Sequence, residues 1–213
     1  MMTTEQMTLC SIRALQGGAR VALCLRAEAT EPREETLTVL TARLARLPQC
    51  GPLTEEEYRA LCAEAAVTDA IDMGLRLLAA GGGSRRQLLQ KMRGRGAKSE
   101  DATAAIGFLA ARGYLDEERE AVRAAERDLA KLWGDKRILA DLRAKGYDDA
   151  AILRVMERLQ AEDPAKRCAK LIKKRRMVLP REDEGVARFV ASLMRYGYSV
   201  AEIKRALAEN REL

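Results

Sequence analysis

The stretch from Trp133 to Gly146, WGDKRILADLRAKG, contains the pattern that decides the fold. Its closing glycine has counterparts fifty residues earlier, at Gly96, and fifty-one residues later, at Gly197. Apolar residues before and after each glycine have the spacing of an amphipathic helix. Each copy therefore predicts a short helix, a glycine in the left-handed conformation that ends it, and a second helix. These apolar positions are Leu88, Leu89, Met92, Ala102 and Ile106 in the first copy, Ile138, Leu139, Leu142, Ile152 and Met156 in the second, and Phe189, Val190, Leu193, Ile203 and Leu207 in the third.

Residues that favour helix N-termini recur together with the glycines. Two capping boxes are expected, in which a serine is followed three residues later by Gln or Glu: Ser84 with Gln87 and Ser199 with Glu202. Simpler caps are expected at Ser99, Asp148 and Asp163. A third helix is predicted after each of the first two copies, over 116–132 and 163–176.

A period near fifty residues with three helices per copy is typical of repeat proteins, whose neighbouring copies bury a shared apolar face. The sequence predicts a mainly α fold, with tandem three-helix repeats stacked into an elongated curved array and a small N-terminal β-hairpin. We expect four segments along the chain. They are the hairpin plus a helix over 1–53, a linking helix and the first repeat over 54–133, the second repeat over 134–180, and a truncated third repeat over 181–213.

The N-terminal segment contains a turn signal, Gly17-Gly18, between strands predicted over 8–16 and 19–26. The register that pairs Gln16 with Ala19 places three apolar pairs on one face. These pairs are Cys10 with Leu25, Ile12 with Leu23, and Ala14 with Val21.

Two helices are predicted after the hairpin. Leucines at 37, 40, 44 and 47 have helical spacing, and Pro48 would end that helix. A capping box from Thr54 to Glu57 predicts the start of the next one.

The composition argues against catalysis. The 213 residues include no His, which excludes Ser–His and Cys–His nucleophile pairs and every His-ligated metal site. The five cysteines are odd in number and nowhere spaced as C-x-x-C, so we expect reduced thiols rather than a zinc site or a disulfide framework. We therefore expect no enzymatic activity, no cofactor and no metal.

The hydropathy pattern argues against a membrane protein. No uncharged run approaches the roughly 18 residues that span a bilayer, and no basic segment precedes an apolar core near Met1. We expect a cytoplasmic monomer without a membrane partner.

The excess of positive over negative charge is confined to the C-terminal part of the chain. The net charge is −3 over residues 1–83 and +9 over residues 84–213. Between Lys166 and Arg176, seven of eleven residues are basic and none is acidic. Because like charges at this density repel one another, the run predicts an exposed basic helix with a binding role.

Three motifs in this order and spacing resemble those of the RecX regulatory proteins. The stretch 84–92, SRRQLLQKM, resembles the opening of their first repeat, and RGYLDEE at 112–118 resembles the turn that follows. The stretch 133–146 is similar to their second-repeat signature. The resemblance extends over residues 54–210, and the N-terminal hairpin looks like the extension present in some members.

This resemblance implies a function. RecX proteins bind the RecA recombinase filament and reduce its ATPase and strand-exchange activities, without catalytic residues or a cofactor. The resemblance therefore implies a negative regulator of homologous recombination in DNA repair and the SOS response. The expected partner is the RecA filament, with weak binding to single- or double-stranded DNA as a further possibility.

A stacked array could lie along such a filament and bridge several protomers. The candidate contacts are the basic residues on the polar helix faces. They are Arg85, Arg86, Lys91, Arg93 and Arg95 in the first repeat, Lys136, Arg137, Arg143 and Lys145 in the second, and Arg167, Lys170, Lys173, Lys174, Arg175 and Arg176 on the basic helix.

Two alternatives remain at the level of sequence. Short helices with Arg-rich faces joined by a glycine turn also match helix-turn-helix units, which would make this a helical DNA-binding protein that acts without RecA. The stretch 94–99, GRGAKS, weakly resembles a phosphate-binding loop, but it lacks an adjacent Gly-Lys and no strand is predicted before it. We expect no nucleotide binding.

Overall fold

The computed structural model describes residues 6–28 and 33–209. Within these residues the chain forms nine α-helices and four β-strands, which confirms a mainly α fold with antiparallel strands at the N-terminal side. The chain divides into two compact units, Met1–Ala80 with Leu89–Tyr114, and Gly81–Leu88 with Leu115–Leu213. No helix in the described ranges is long and apolar enough to cross a bilayer.

The first unit contains the sheet. Its strands are β1 (Gln6–Leu15), β2 (Arg20–Glu28), β3 (Arg33–Leu40) and β4 (Gly51–Pro52). They pair in the order β3-β2-β1-β4, and every pairing is antiparallel. The predicted turn is confirmed, since Gly17 and Gly18 have φ of +66° and +89° and the Ala19 N–H donates to the Gln16 carbonyl at 3.3 Å.

The predicted register is correct near the turn and wrong further along. Ile12 pairs with Leu23, and Ala14 with Val21, as expected. Cys10, however, does not face Leu25. A bulge inserts Cys10 as an extra residue, so Leu9 pairs with Leu25 instead. The bulge allows the larger Leu9 side chain to enter the core, where it is 1% exposed, and leaves Cys10 exposed.

The helix predicted over 37–47 is wrong. The segment forms β3 and then a short 3₁₀ turn, Thr41–Arg43. Thr, Val and Leu alternate along β3, and this order suits a half-buried strand as well as the leucine spacing suits a helix. Pairing along β2 decides between the two, because it satisfies the backbone groups of β3 and places Val39 in the core.

The sheet packs against a long helix, α1 (Glu55–Ala79), whose predicted capping box from Thr54 to Glu57 is confirmed. Two further helices follow, α2 (Arg85–Arg93) and α3 (Ser99–Ala111). Helix α3 approaches α1 at Gly74, where a Cβ would lie 2.6 Å from the Leu109 side chain. The cap predicted at Ser99 is wrong, because α3 already includes Ser99 and no side chain caps it.

In the described residues, the second unit contains the start of α2, Arg85–Leu88, and six whole helices. They are α4 (Glu117–Ala130), α5 (Asp135–Ala144), α6 (Asp149–Leu159), α7 (Pro164–Lys174), α8 (Asp183–Arg195) and α9 (Val200–Glu209). One hydrophobic cluster joins α4, α5 and α6, and another joins α7, α8 and α9. Each core thus combines the third helix of one sequence copy with the first two helices of the next.

The helices begin and end at most of the residues that the sequence pattern predicts. Gly96, Gly146 and Gly197 have φ of +93°, +76° and +97°, as the left-handed end of a helix requires. The capping boxes at Ser84 and Ser199 are confirmed by their paired hydrogen bonds, and so are the caps at Asp148 and Asp163.

Two joints within the second unit repeat one geometry. In each, the N-cap of a first helix contacts the glycine turn of the next copy. At the first joint, the Ser84 Oγ donates to the Lys145 carbonyl at 2.5 Å, next to Gly146. At the second joint, the Gly134 N–H donates to the Tyr196 carbonyl at 2.7 Å, next to Gly197. The repeat in the sequence is therefore matched by a repeat in how the N-caps pack against the glycine turns.

Candidate partner-binding surface

Helix α7 carries the densest positive charge of the chain. Its apolar stripe of Cys168, Leu171 and Ile172 is buried, as predicted. Six of its seven predicted cations are exposed: Lys166, Lys170, Lys173, Lys174, Arg175 and Arg176. Four of them lie at the carboxyl end of the helix, where the helix dipole favours positive charge.

The five cations from Lys170 to Arg176 are not neutralised within the described part of the chain. None of them has a carboxylate oxygen within 4.0 Å, although many other exposed Arg and Lys side chains form such pairs. We call Lys170, Lys173, Lys174, Arg175 and Arg176 the unpaired cluster. A group of this kind is available to an anionic partner.

Arg167 is a correction to the predicted surface. Its side chain is 5% exposed, and its Nη1 donates to the Trp133 carbonyl at 3.0 Å and to Asp135 Oδ1 at 2.8 Å. The guanidinium therefore ties α7 to the start of α5. The sequence contains a signal for this, because Arg167 precedes Leu171 by four residues and so shares its buried face.

Cations in the first repeat also have structural contacts. Arg85 pairs at 2.9 Å with Glu117, whose side chain is buried, and Arg86 packs on Gly146 at the first joint. Lys145 pairs with Asp141 on its own helix. Lys136 and Arg143 are exposed on α5, whereas Lys91, Arg93 and Arg95 are exposed in the first unit.

A chain of cations and aromatic rings surrounds the second joint. The Arg137 guanidinium lies 3.8 Å from the centre of the Trp133 ring and 5.7 Å from that of Tyr196. The Arg175 guanidinium lies 6.0 Å from the centre of the same Tyr196 ring, and the Lys131 ammonium lies 4.7 Å from the centre of the Trp133 ring. We call these five residues the cation–aromatic stack. Such contacts contribute about 0.5–1 kcal/mol each at exposed sites and fix the orientation of the guanidinium groups.

The stack was not predicted from the sequence. Trp133 and Tyr196 are sixty-three residues apart, and only the repeat of the joint brings them together. The useful signal is that Tyr196 adjoins the predicted turn glycine Gly197, and that Trp133 adjoins Gly134 in a basic stretch.

Three further features concern a buried thiol, the acidic residues and the loop at 94–99. Burial raises the pKa of the Cys168 thiol to about 12, which keeps it protonated and unreactive. No group of three or more Cys, Asp or Glu residues that could hold a metal ion occurs among the described residues. The loop 94–99 follows helix α2 rather than a strand, so it does not have the setting of a phosphate-binding loop.

The repeated joints and the unpaired cluster define a helical-repeat protein with a basic surface on its second unit. Sequence comparison then identifies its relatives. The chain is 34% identical over 153 residues to the regulatory protein RecX of Mycobacterium leprae (strain Br4923), which covers 70% of this chain and 82% of that protein. It is 31% identical over 144 residues to the RecX of Vibrio vulnificus (strain CMCP6), with coverage of 65% and 90%. The chain belongs to the RecX family of regulatory proteins.

Solved structures agree with this assignment at the level of the fold. A crystal structure of regulatory protein RecX matches 95% of this chain with a TM-score of 0.73 and 18% identity. The RecX of Lactobacillus salivarius matches 70% of it with a TM-score of 0.59 and 17% identity. No protein-family model matches the sequence.

Proposed function

We propose that this protein binds the RecA recombinase filament and reduces its ATPase and strand-exchange activities. Membership of the RecX family supports a regulatory role. The observation that carries the proposal is the unpaired cluster on α7, because an inhibitor of an assembled partner needs a surface that its own fold does not neutralise.

The physical mechanism is a shift between two states of the filament. Repeats joined in register can contact more than one protomer, and such contacts favour one spacing between protomers over others. A ligand changes this equilibrium only through its different affinity for the two states. Inhibition follows if the preferred spacing differs from the one that ATP hydrolysis and strand exchange require.

A DNA-binding protein that acts without RecA is the second candidate. The cation–aromatic stack favours it, because Arg137 and Arg175 have no carboxylate partner in the described structure and could contact phosphates. If the protein acts on DNA alone, it should bind bare DNA, and contacts to phosphate should make that affinity fall steeply with added salt. If the target is the filament, binding should require RecA.

The test is the RecA ATPase rate on single-stranded DNA at a substoichiometric ratio of this protein. The unmodified chain should lower the rate. The variant with Lys173, Lys174, Arg175 and Arg176 all changed to Ala should inhibit at least about tenfold less well, because each exposed charge pair contributes about 0.2–1 kcal/mol and tenfold corresponds to about 1.4 kcal/mol.

A matched control separates this surface from net charge. Changing the exposed cations Lys98, Arg119, Arg127 and Lys204 to Ala removes the same charge from other parts of the chain. This control should inhibit like the unmodified chain, and circular dichroism should report equal helix content for all three proteins. Equal inhibition by the α7 variant would remove α7 from the proposed function.

A further inference from the structure

A cavity of about 460 Å³ lies beside the unpaired cluster, at the carboxyl end of α7. Its walls come from all three helices of the last core and from the segment that links α7 to α8. They are Ile172, Phe189, Leu207, the apolar segment 177–179, and two cations, Lys173 and Arg176. The cavity is thus apolar inside and positively charged at its edge.

Val178 is the most exposed large apolar side chain in the described structure, at 83%. It lines this cavity, while Ile172 and Phe189 beside it are buried. Folding gives no reason for an exposed valine at this place, since it contributes nothing to the core of the unit. An exposed apolar side chain next to an apolar cavity is typical of a surface that a partner covers.

Arg176 provides a second indication. It ends α7 in the left-handed conformation, with φ of +50°, and the Met177 N–H closes the turn on the Ile172 carbonyl at 3.0 Å. The first helices of the repeats end instead at Gly96, Gly146 and Gly197, which adopt this conformation at lower cost. The other third helix, α4, also ends at a residue with positive φ, Leu132 at +60°, but that residue is apolar. The arginine places a guanidinium at the edge of the cavity at the expense of an unfavourable backbone.

The charge around the cavity selects the partner. Among the described residues, no acidic side chain lines the cavity, and neither Lys173 nor Arg176 has a carboxylate partner. We propose that this cavity receives a bulky apolar side chain from an acidic segment of the protein partner, whose carboxylates pair with Lys173 and Arg176. This inference rests on the proposed function and names the kind of RecA segment that the surface recognises.

The experiment measures binding of two labelled peptides to the full chain by fluorescence anisotropy. Both are twelve residues long and rich in Asp and Glu, and one has a central Phe where the other has Ser. Burial of the Phe side chain should make the first peptide bind at least about tenfold more tightly. Equal affinities would overturn the proposal.

Two variants assign the effect to the cavity. Val178→Ser should reduce the advantage of the Phe peptide and leave the affinity of the Ser peptide unchanged, because it removes only apolar surface. Arg176→Gly removes the edge charge and relieves the left-handed backbone, so the fold is retained, and both peptides should bind about threefold more weakly. An unchanged Phe advantage in Val178→Ser would contradict the proposal.

Two further measurements keep this proposal separate from the proposed function. A twelve-nucleotide oligo-dT should bind Val178→Ser and the unmodified chain equally, and a loss with Val178→Ser would assign the cavity to nucleic acid and overturn the proposal. In the RecA ATPase test, the unmodified chain and Val178→Ser could inhibit equally well. This result would reject the proposed role of the cavity and leave the proposed function intact. Absence of inhibition by the unmodified chain would reject the proposed function, and the peptide comparison would still decide whether the cavity binds an acidic apolar segment.

Discussion

The two joints of the second unit have the same geometry but differ in what fills them. At the first joint a serine hydroxyl makes the contact, and the atoms nearest to a Cβ on Gly146 belong to the Arg86 side chain. At the second joint the backbones themselves meet, since Gly134 and Gly197 are in direct contact. The comparison teaches that glycine is needed for conformation at both places but for close approach of backbone only at the second.

The largest loss of stability is expected at the second joint, where the backbones of Gly134 and Gly197 are in contact. A Cβ at Gly197 would lie 2.6 Å from the Arg137 nitrogen and 2.7 Å from the Gly134 oxygen, and φ there is +97°. Gly197→Ala should therefore lower the free energy of unfolding by about 3 kcal/mol or more, measured by urea denaturation.

Gly96→Ala is the matched control for this prediction. Gly96 has φ of +93°, but no described residue other than its chain neighbours lies within 4 Å of its Cβ position. The substitution should cost only the conformational term, about 1–2 kcal/mol. Equal losses in the two variants would mean that close approach at the second joint contributes nothing.

The loss of stability caused by Gly146→Ala should lie between those caused by Gly96→Ala and Gly197→Ala. The Cβ would meet the Cδ of Arg86, and also its Cβ and Cγ at 2.9 and 3.1 Å. The outer atoms of this side chain can move away, whereas its Cβ is held by the backbone. We expect a loss of about 2 kcal/mol by urea denaturation. Part of it should be recovered when Arg86 is also changed to Ala, because that change removes the Cγ and Cδ but keeps the Cβ. Failure of this second change to restore stability would contradict the assignment of the contact to Arg86.

Ser84→Ala tests the hydroxyl of the first joint. It removes the hydrogen bond to the Lys145 carbonyl and the cap on the Gln87 N–H, so a loss of about 1–2 kcal/mol is expected. Thr at this position keeps the hydroxyl and should restore most of the loss. A Thr variant as unstable as the Ala variant would show that the hydroxyl is not responsible.

The smallest change in stability is expected at the tyrosines that follow the two joint glycines, Tyr147 after Gly146 and Tyr198 after Gly197. Burial raises the pKa of both Tyr147 and Tyr198, and the Tyr198 hydroxyl donates to the Leu132 carbonyl at 2.8 Å. Because the unfolded phenol loses its proton first, stability is complete below about pH 10 and falls as the pH rises above it. Phe at either position should flatten this alkaline decline, and at neutral pH only Tyr198→Phe should cost about 1 kcal/mol. An unaltered alkaline decline in both variants would contradict burial of these phenols.

Much of this architecture follows from local rules that the sequence contains. The left-handed glycines, the caps at Ser84, Asp148, Asp163 and Ser199, and the Gly17-Gly18 turn each depend on residues close in sequence. The strand β3 could not be predicted in this way, because its leucine spacing also suits a helix and pairing with β2 decides the outcome.

The candidate site was predictable only in part. Exposure of the α7 cations follows from the apolar stripe of that helix, but the burial of Arg167 depends on Asp135 and the Trp133 carbonyl, more than thirty residues away. The cavity beside Val178 likewise requires three helices to be in place before it exists. Long-range packing, rather than residue type, separates structural cations from available ones.

The central claim is that the unpaired cluster binds an assembled RecA filament. The most direct measurement is biolayer interferometry of this protein on immobilised RecA–single-stranded DNA filaments and on the same DNA without RecA. The unmodified chain should bind the filaments much more tightly than bare DNA, and the four-alanine α7 variant should lose at least about tenfold in affinity for the filaments. Equal binding to bare DNA and to filaments, or full filament binding by that variant, would contradict the account.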